Sequence, residues 1–270
     1  MTDLMARLQA LGFTALADGW EDVVALVTTK RWSFTQAIEH VVALEETERA
    51  RRGLERRQRR SKLERYKPMA DFDWNWPTQI DRPIVESALG LDFLPAHRNI
   101  VLVAAQGLGK TMIAKNIVQH AVLAGHTALF ITASDLLLDL GKQESARTLE
   151  RRIRYYAGIT LLVIDEIGFL AFDNRNADLL FQIVSRRYEK KSIVLTTNLL
   201  FRDWSTIFPN AMCATALIER IVHHADVISI QGKSFRAREA EQDTKERAQH
   251  RPKPKPKPQP QGEPPPPPAS

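Results

Sequence analysis

Residues 100–111 constrain this chain more than any other stretch. They read Ile-Val-Leu-Val-Ala-Ala-Gln-Gly-Leu-Gly-Lys-Thr, and an amphipathic run through Ile113, Ala114, Ile117 and Ala121 follows. The apolar tetrapeptide suits a buried strand, and the later spacing suits a helix. Between them, Gly107 and Gly109 let the backbone curl so that its N–H groups point inward. A helix beginning near Lys110 adds the positive end of its dipole. Strand, loop and helix in this order form the setting a phosphate-binding loop requires.

The expected ligand is ATP, held by Ala104, Ala105, Gln106, Gly107, Leu108, Gly109, Lys110 and Thr111. Lys110 is placed to reach the β- and γ-phosphates, and the Thr111 hydroxyl to ligate Mg²⁺. Ala104 stands where such loops usually open with Gly. Alanine allows the turn if its φ stays negative. About 50 residues further on, Leu161-Leu-Val-Ile-Asp165-Glu166 reads as an apolar strand ending in two carboxylates at the edge of a sheet. Asp165 suits the water shell of Mg²⁺, and Glu166 suits polarising the attacking water.

Thr196-Thr197-Asn198 closes the next apolar run. Asn198 is expected beside the γ-phosphate, where it positions the lytic water with Glu166. An ordinary strand-to-loop transition is the alternative. Ala216 to His224 reads as a helix with Arg220 near its C-terminal part. Arg220 can reach a neighbour's ATP site as an arginine finger, or pair with an acid of its own helix. His223 and His224 are adjacent, so on a helix they face different directions. No Cys or carboxylate at ligand spacing accompanies them, which favours solvated or structural histidines over a metal site. Arg236 can touch nucleotide or DNA, or be a surface arginine.

Strands are expected at Ile100–Ala104, Ala128–Thr132, Thr160–Ile164, Ile193–Thr197 and Val227–Ile230, with helices between them. That alternation indicates an α/β fold: a five-stranded parallel sheet flanked by helices. The chain divides into four zones. Residues 1–68 form a helical N-terminal domain, with a helix start at Ser33 and an end at Pro68. Residues 69–95 form a connector whose Phe72, Trp74, Trp76 and Phe93 are expected to dock on the chain's own core, with packing of an extended arm on a neighbouring domain as the alternative. Residues 96–240 form the ATPase domain. Residues 241–270 form a Pro/Lys-rich tail that lacks core-forming residues and is expected to be disordered or extended.

The 270 residues carry a formal charge of +6. Arg49 to Lys67 holds ten Lys/Arg against two Glu. Three basic groups are candidates for DNA phosphates: Arg51, Arg52, Arg56, Arg57, Arg59 and Arg60; Arg147, Arg151, Arg152 and Arg154; and Arg186, Arg187, Lys190 and Lys191. Few base-reading side chains accompany them, so low sequence preference is expected. No apolar run approaches membrane-spanning length, and Met1 to Arg7 does not resemble an export signal. Cys213 is the only cysteine, which excludes an intrachain disulfide and fits a cytoplasmic location.

The segments Ala104–Thr111, Leu161–Leu170, Thr196–Asn198, Leu217–Ala225 and Gly232–Arg236 together resemble the IstB family, helper ATPases of insertion-sequence transposition. DnaC-type helicase loaders and DnaA-type initiators, within the AAA+ class, are its relatives. Phe72-Asp-Trp-Asn-Trp, Leu180 to Glu189 and Ala211 to His224 extend the resemblance over about residues 1–238. The chain departs from it at Ala104 and Phe169, where the family usually has Gly and Tyr. The resemblance implies an AAA+ core, ATP-dependent self-assembly on duplex DNA with ATP between subunits, and a partner transposase that the assembly recruits or stimulates. It also implies that the N-terminal helical domain serves self-association or partner contact. A helicase loader with the same core, and an ATP-binding scaffold with little turnover, are the alternatives.

Overall fold

The computed structural model describes residues 2–169, 171–209 and 211–241. The tail expected beyond 241 lies outside them. The chain opens with four helices, α1 (Thr2–Ala10), α2 (Thr14–Asp18), α3 (Trp20–Lys30) and α4 (Phe34–Arg60). Ser33 starts α4 as expected. Its hydroxyl accepts from Gln36 N, and Gln36 Oε1 accepts from Ser33 N, so two unpaired backbone donors are satisfied at once.

The helix does not continue to Pro68. It stops at Arg60, and the buried Ser61 turns the chain: its hydroxyl donates to Gln58 O and accepts from Leu63 N. The Ser61 carbonyl accepts from Phe130 N, 2.9 Å away. The basic segment therefore leaves the helix to cover the sheet edge formed by Phe130, an edge that would otherwise present unpaired backbone groups.

After α5 (Arg82–Gly90) come β1 (Asn99–Ala104), α6 (Lys110–Leu123), β2 (Ala128–Thr132), α7 (Ala133–Gly141), α8 (Ala146–Gly158), β3 (Leu161–Ile167), α9 (Asn174–Arg187), β4 (Ser192–Thr197), α10 (Ala211–Val222) and β5 (Ala225–Ile230). The sheet order is β2-β3-β4-β1-β5. Every pairing is parallel. The expected five-stranded parallel sheet with flanking helices is present.

Period-two alternation divides the core. Val101 and Val103 join one buried cluster with residues of α7, α8, α9 and α10. Ile100 and Leu102 join a second, with residues of α5 and α6. Both faces are covered, which is why the strands read as continuous apolar runs.

Two strand limits differ from expectation by more than one residue. β3 runs past Ile164 to Ile167, through a register shift against β4. The irregularity lets the strand carry Asp165 and Glu166 instead of ending before them. β3 is also an interior strand, so these carboxylates stand at its C-terminal end and not on a sheet edge. β5 starts at Ala225, paired with Asn99. Asp226 enters the strand held by an ion pair with Arg98, which no apolar pattern could signal.

Arg187 contradicts its reading as a DNA contact. It is fully buried. Its guanidinium donates to the carbonyls of Tyr156, Ala157, Ile159, Thr160 and Ser192 at 2.6–3.3 Å. It thereby satisfies the end of α8 and ties it to the starts of β3 and β4. Burial lowers its pKa to about 9, so the side chain stays charged at neutral pH. Replacing it with methionine leaves several buried carbonyls unpaired. Arg187→Met is expected to lower stability by about 3 kcal/mol or more, read as a shift of the urea midpoint at unchanged slope.

Candidate nucleotide site

β1 delivers its C-terminal residue, Ala104, to the mouth of the loop, with φ outside the left-handed region. The turn therefore forms without the usual glycine. Gly107 (φ 76°) and Gly109 (φ 88°) are both left-handed. Each also lacks room for a side chain. A Cβ on Gly109 would stand 2.5 Å from the Phe72 ring, and one on Gly107 would run into Ser234 Oγ. Glycine is needed here for both φ and space.

α6 begins at Lys110, so its unpaired N–H groups face the loop. Lys110 is buried, and its ammonium donates to the carbonyls of Ala104 at 2.6 Å and Ala105 at 2.8 Å. Burial pushes its pKa below the ordinary lysine value, Asp165 and Glu166 pull it back up, and Arg236 adds to the lowering. An anion supplied by a ligand would relieve this loss of solvation.

Asp165 is buried, with Thr111 Oγ1 3.1 and 3.3 Å from its two carboxylate oxygens. Thr196 Oγ1 donates to Asp165 Oδ1 at 2.5 Å and accepts from Glu166 N at 2.9 Å. Thr196 thus sets both carboxylates. A hydroxyl beside a fixed carboxylate is a hard-oxygen donor set, and it fits Mg²⁺. Glu166 is exposed and held at φ 64°. A non-glycine residue there stores backbone strain of about 1–3 kcal/mol, which persists where the surroundings over-determine it.

A cavity of about 610 Å³ opens over this loop. Gln106 through Thr111, Glu166 and Thr196 line one side. Phe72, Trp76, Pro77, Phe235 and Arg236 line the other. Two distant segments build that second wall. The connector docks as expected, and the chain after β5 folds back onto it. Gln79 and Gln231 form an antiparallel bridge. Trp76 Nε1 donates to Lys233 O at 2.7 Å, and Phe235 N to Gly107 O at 2.9 Å. Arg238 stacks on Trp76 and pairs with Asp73. Arg236, left open by sequence, lies in the cavity wall. Sequence reasoning missed Thr196, Ser234 and Phe235. Thr196 offered one signal, its place beside the expected Asn198.

Asn198 does not line the cavity. Its Oδ1 is buried with no hydrogen-bond partner among the described residues. It sits against Gly168 (φ 119°), where a Cβ would come within 2.6 Å of it. Arg220 does not reach the cavity of its own chain. It stacks 4.3 Å over the Phe181 ring, on the last turn of α10.

The basic groups are thinner than expected. Arg51 and Arg52 pair with Glu48, Arg152 with Asp139, and Arg154 and Arg186 with Glu150. Arg57 donates to Val122 O. Arg56, Arg59, Arg60, Arg147, Arg151 and Lys190 are exposed and carry no ion pair among the described residues.

A phosphate loop on an interior strand, an Asp-Glu pair ending a second interior strand and a polar residue after the strand between them define an ATP-binding protein of the AAA+ P-loop class. The comparisons with known proteins narrow that class. The chain belongs to the IstB-like ATP-binding protein family, whose model matches residues 6–243. It is 33% identical over 239 residues to a Pseudomonas aeruginosa protein named for ATP binding and insertion sequence IS21, covering 88% of this chain and 90% of that one. A Geobacillus stearothermophilus relative named for ATP binding and IS5376 is 31% identical over 229 residues, covering 85% and 91%. The fold resembles that of replication initiator DnaA bound to AMPPCP and single-stranded DNA, with a TM-score of 0.53 at 18% identity over 68% of this chain and 56% of that one. Among the described residues, no helix is long and apolar enough to cross a membrane.

Two substitutions test the site. Gly109→Ala is expected to weaken binding of a fluorescent ATP analogue at least about tenfold, since it combines a strained φ with a displaced Phe72. Adding Phe72→Ala restores only part of it. Thr196→Val is expected to weaken Mg²⁺-dependent binding about tenfold, in a titration of Mg²⁺ at fixed nucleotide.

Proposed function

We propose that this chain is a Mg²⁺-dependent ATPase that regulates DNA transposition by assembling on duplex DNA. The ATP-bound form associates with ATP between subunits and recruits or stimulates a partner transposase. Hydrolysis to ADP and phosphate releases the assembly. The observation that carries this reading is the separation of Glu166 from Arg220. One lines the cavity and the other stacks on Phe181 outside it, which supports a site completed by a second copy.

ATP enters with its phosphates against the backbone amides of Gln106–Gly109. Lys110 leaves its two carbonyl partners and donates to the β- and γ-phosphates. The base stacks against the Phe72, Trp76 and Phe235 wall. Thr111 and Asp165 would hold Mg²⁺, which would supply positive charge against the phosphates. Glu166 accepts a proton from water as the oxygen bonds to the γ-phosphorus. The bond to the bridging oxygen breaks and ADP carries the released electron pair. Asn198 Oδ1, buried against Gly168 without a hydrogen-bond partner among the described residues, turns into the cavity to position that water. Arg220 of a neighbour offsets the charge that develops. The unpaired Arg56, Arg59, Arg60, Arg147 and Arg151 supply phosphate contacts to duplex DNA, so affinity falls steeply with salt. The names of the two relatives, both tied to insertion sequences, support transposition over helicase loading.

Turnover per subunit is expected to rise with protein concentration and again with duplex DNA. Arg220→Ala is expected to lose roughly 10³-fold in rate, and Glu166→Gln roughly 10²–10⁴-fold. Mixing the two inactive variants restores turnover, because the intact cavity of one meets the intact arginine of the other. A mixture as inactive as its components contradicts the composite site.

A further inference from the structure

A pair of histidines lies at the opposite end of β1 from the phosphate loop. α10 stops at Val222, so His223 and His224 fall in the turn that leads into β5. On a continuing helix, adjacent side chains would diverge by about 100°. In the turn they converge, with ring centroids 4.0 Å apart. The divergence that favoured solvated or structural histidines over a metal site is therefore absent.

A carboxylate absent from the local sequence completes the group. Glu189 follows α9 at φ 57°, and His224 Nε2 lies 3.2 Å from its Oε1. One ligand atom each from Glu189, His223 and His224 lies within 4.8 Å of the others. A tetrahedral zinc ion with bonds of about 2.0–2.1 Å holds its ligand atoms roughly 3.3 Å apart. An ion would have to draw these exposed side chains in to that spacing.

The surroundings favour such a site. The Tyr188 hydroxyl lies 2.7 Å from His223 Nδ1. Metal-bound histidines are commonly oriented by a hydrogen bond to the second ring nitrogen. A proton on Nδ1, donated to Tyr188, leaves the Nε2 lone pair for an ion. Both supporting loops are pinned. Asn99 N donates to His224 O at 2.7 Å, and Lys190 N and Lys191 N donate to Arg187 O at 2.9 Å.

We propose that Glu189, His223 and His224 bind a first-row divalent cation, best matched by Zn²⁺, with Tyr188 orienting His223. The three side chains are exposed, so water completes the coordination. The site joins the loop after α9 to the end of α10. It is separate from the nucleotide cavity by the length of β1, roughly 20 Å.

The test titrates the full chain, stripped with EDTA and held in excess Mg²⁺, with Zn²⁺ against a chromophoric chelator. One equivalent is expected to bind. Glu189→Gln with His224→Gln is expected to weaken it far more than tenfold, Tyr188→Phe by about tenfold, and His126→Gln not at all. Zn²⁺ raises the melting temperature of the parent but not of the double variant. Equal ATP-analogue binding by all forms shows that they are folded. No zinc uptake by the parent, or uptake unchanged in both the double variant and Tyr188→Phe, overturns the proposal.

Discussion

The fold and the site both depend on one turn, the left-handed pair Gly107 and Gly109 between β1 and α6. This turn aims backbone N–H groups and a helix N-terminus at one point in space. The buried sheet fixes where that point is. β1 lies between β4 and β5, and both faces are packed. The loop therefore cannot drift relative to Asp165 and Thr196, which end strands of the same sheet.

Two remote parts of the chain close on that turn. Phe72 packs where a Gly109 side chain would be, and Ser234 where a Gly107 side chain would be. The connector and the C-terminal segment hold each other through the Trp76–Lys233 hydrogen bond and the Arg238 stack on Trp76. Aromatic rings of these two segments and the phosphate loop then line the same cavity. That pairing matches a molecule with an aromatic base at one end and phosphates at the other. The left-handed Glu166 fits the same logic, because strain at the position proposed to react is sustained by a rigid surround.

Much of this was legible in the sequence because it is local. The five strands are apolar runs, the loop is contiguous, and Asp165-Glu166 is joined directly to an apolar run. What sequence could not show depends on contacts between distant residues. Thr196 matters because β4 lies beside β3, and its hydroxyl reaches across to Asp165. Arg187 looked like one more exposed cation in a basic run, yet five carbonyls from two other segments surround it. His223 and His224 looked divergent because the helix was extended two residues too far. The carboxylate that joins them, Glu189, lies 35 residues before His224.

The central claim is that triphosphate binds against this loop with Lys110 as its counter-charge. The most direct measurement is equilibrium binding of an ATP analogue to Lys110→Ala, with melting recorded alongside. Affinity is expected to weaken by roughly 10–100-fold, the value of one charge-assisted hydrogen bond group, with the melting temperature almost unchanged. A variant that folds and holds the analogue as tightly as the parent contradicts that claim.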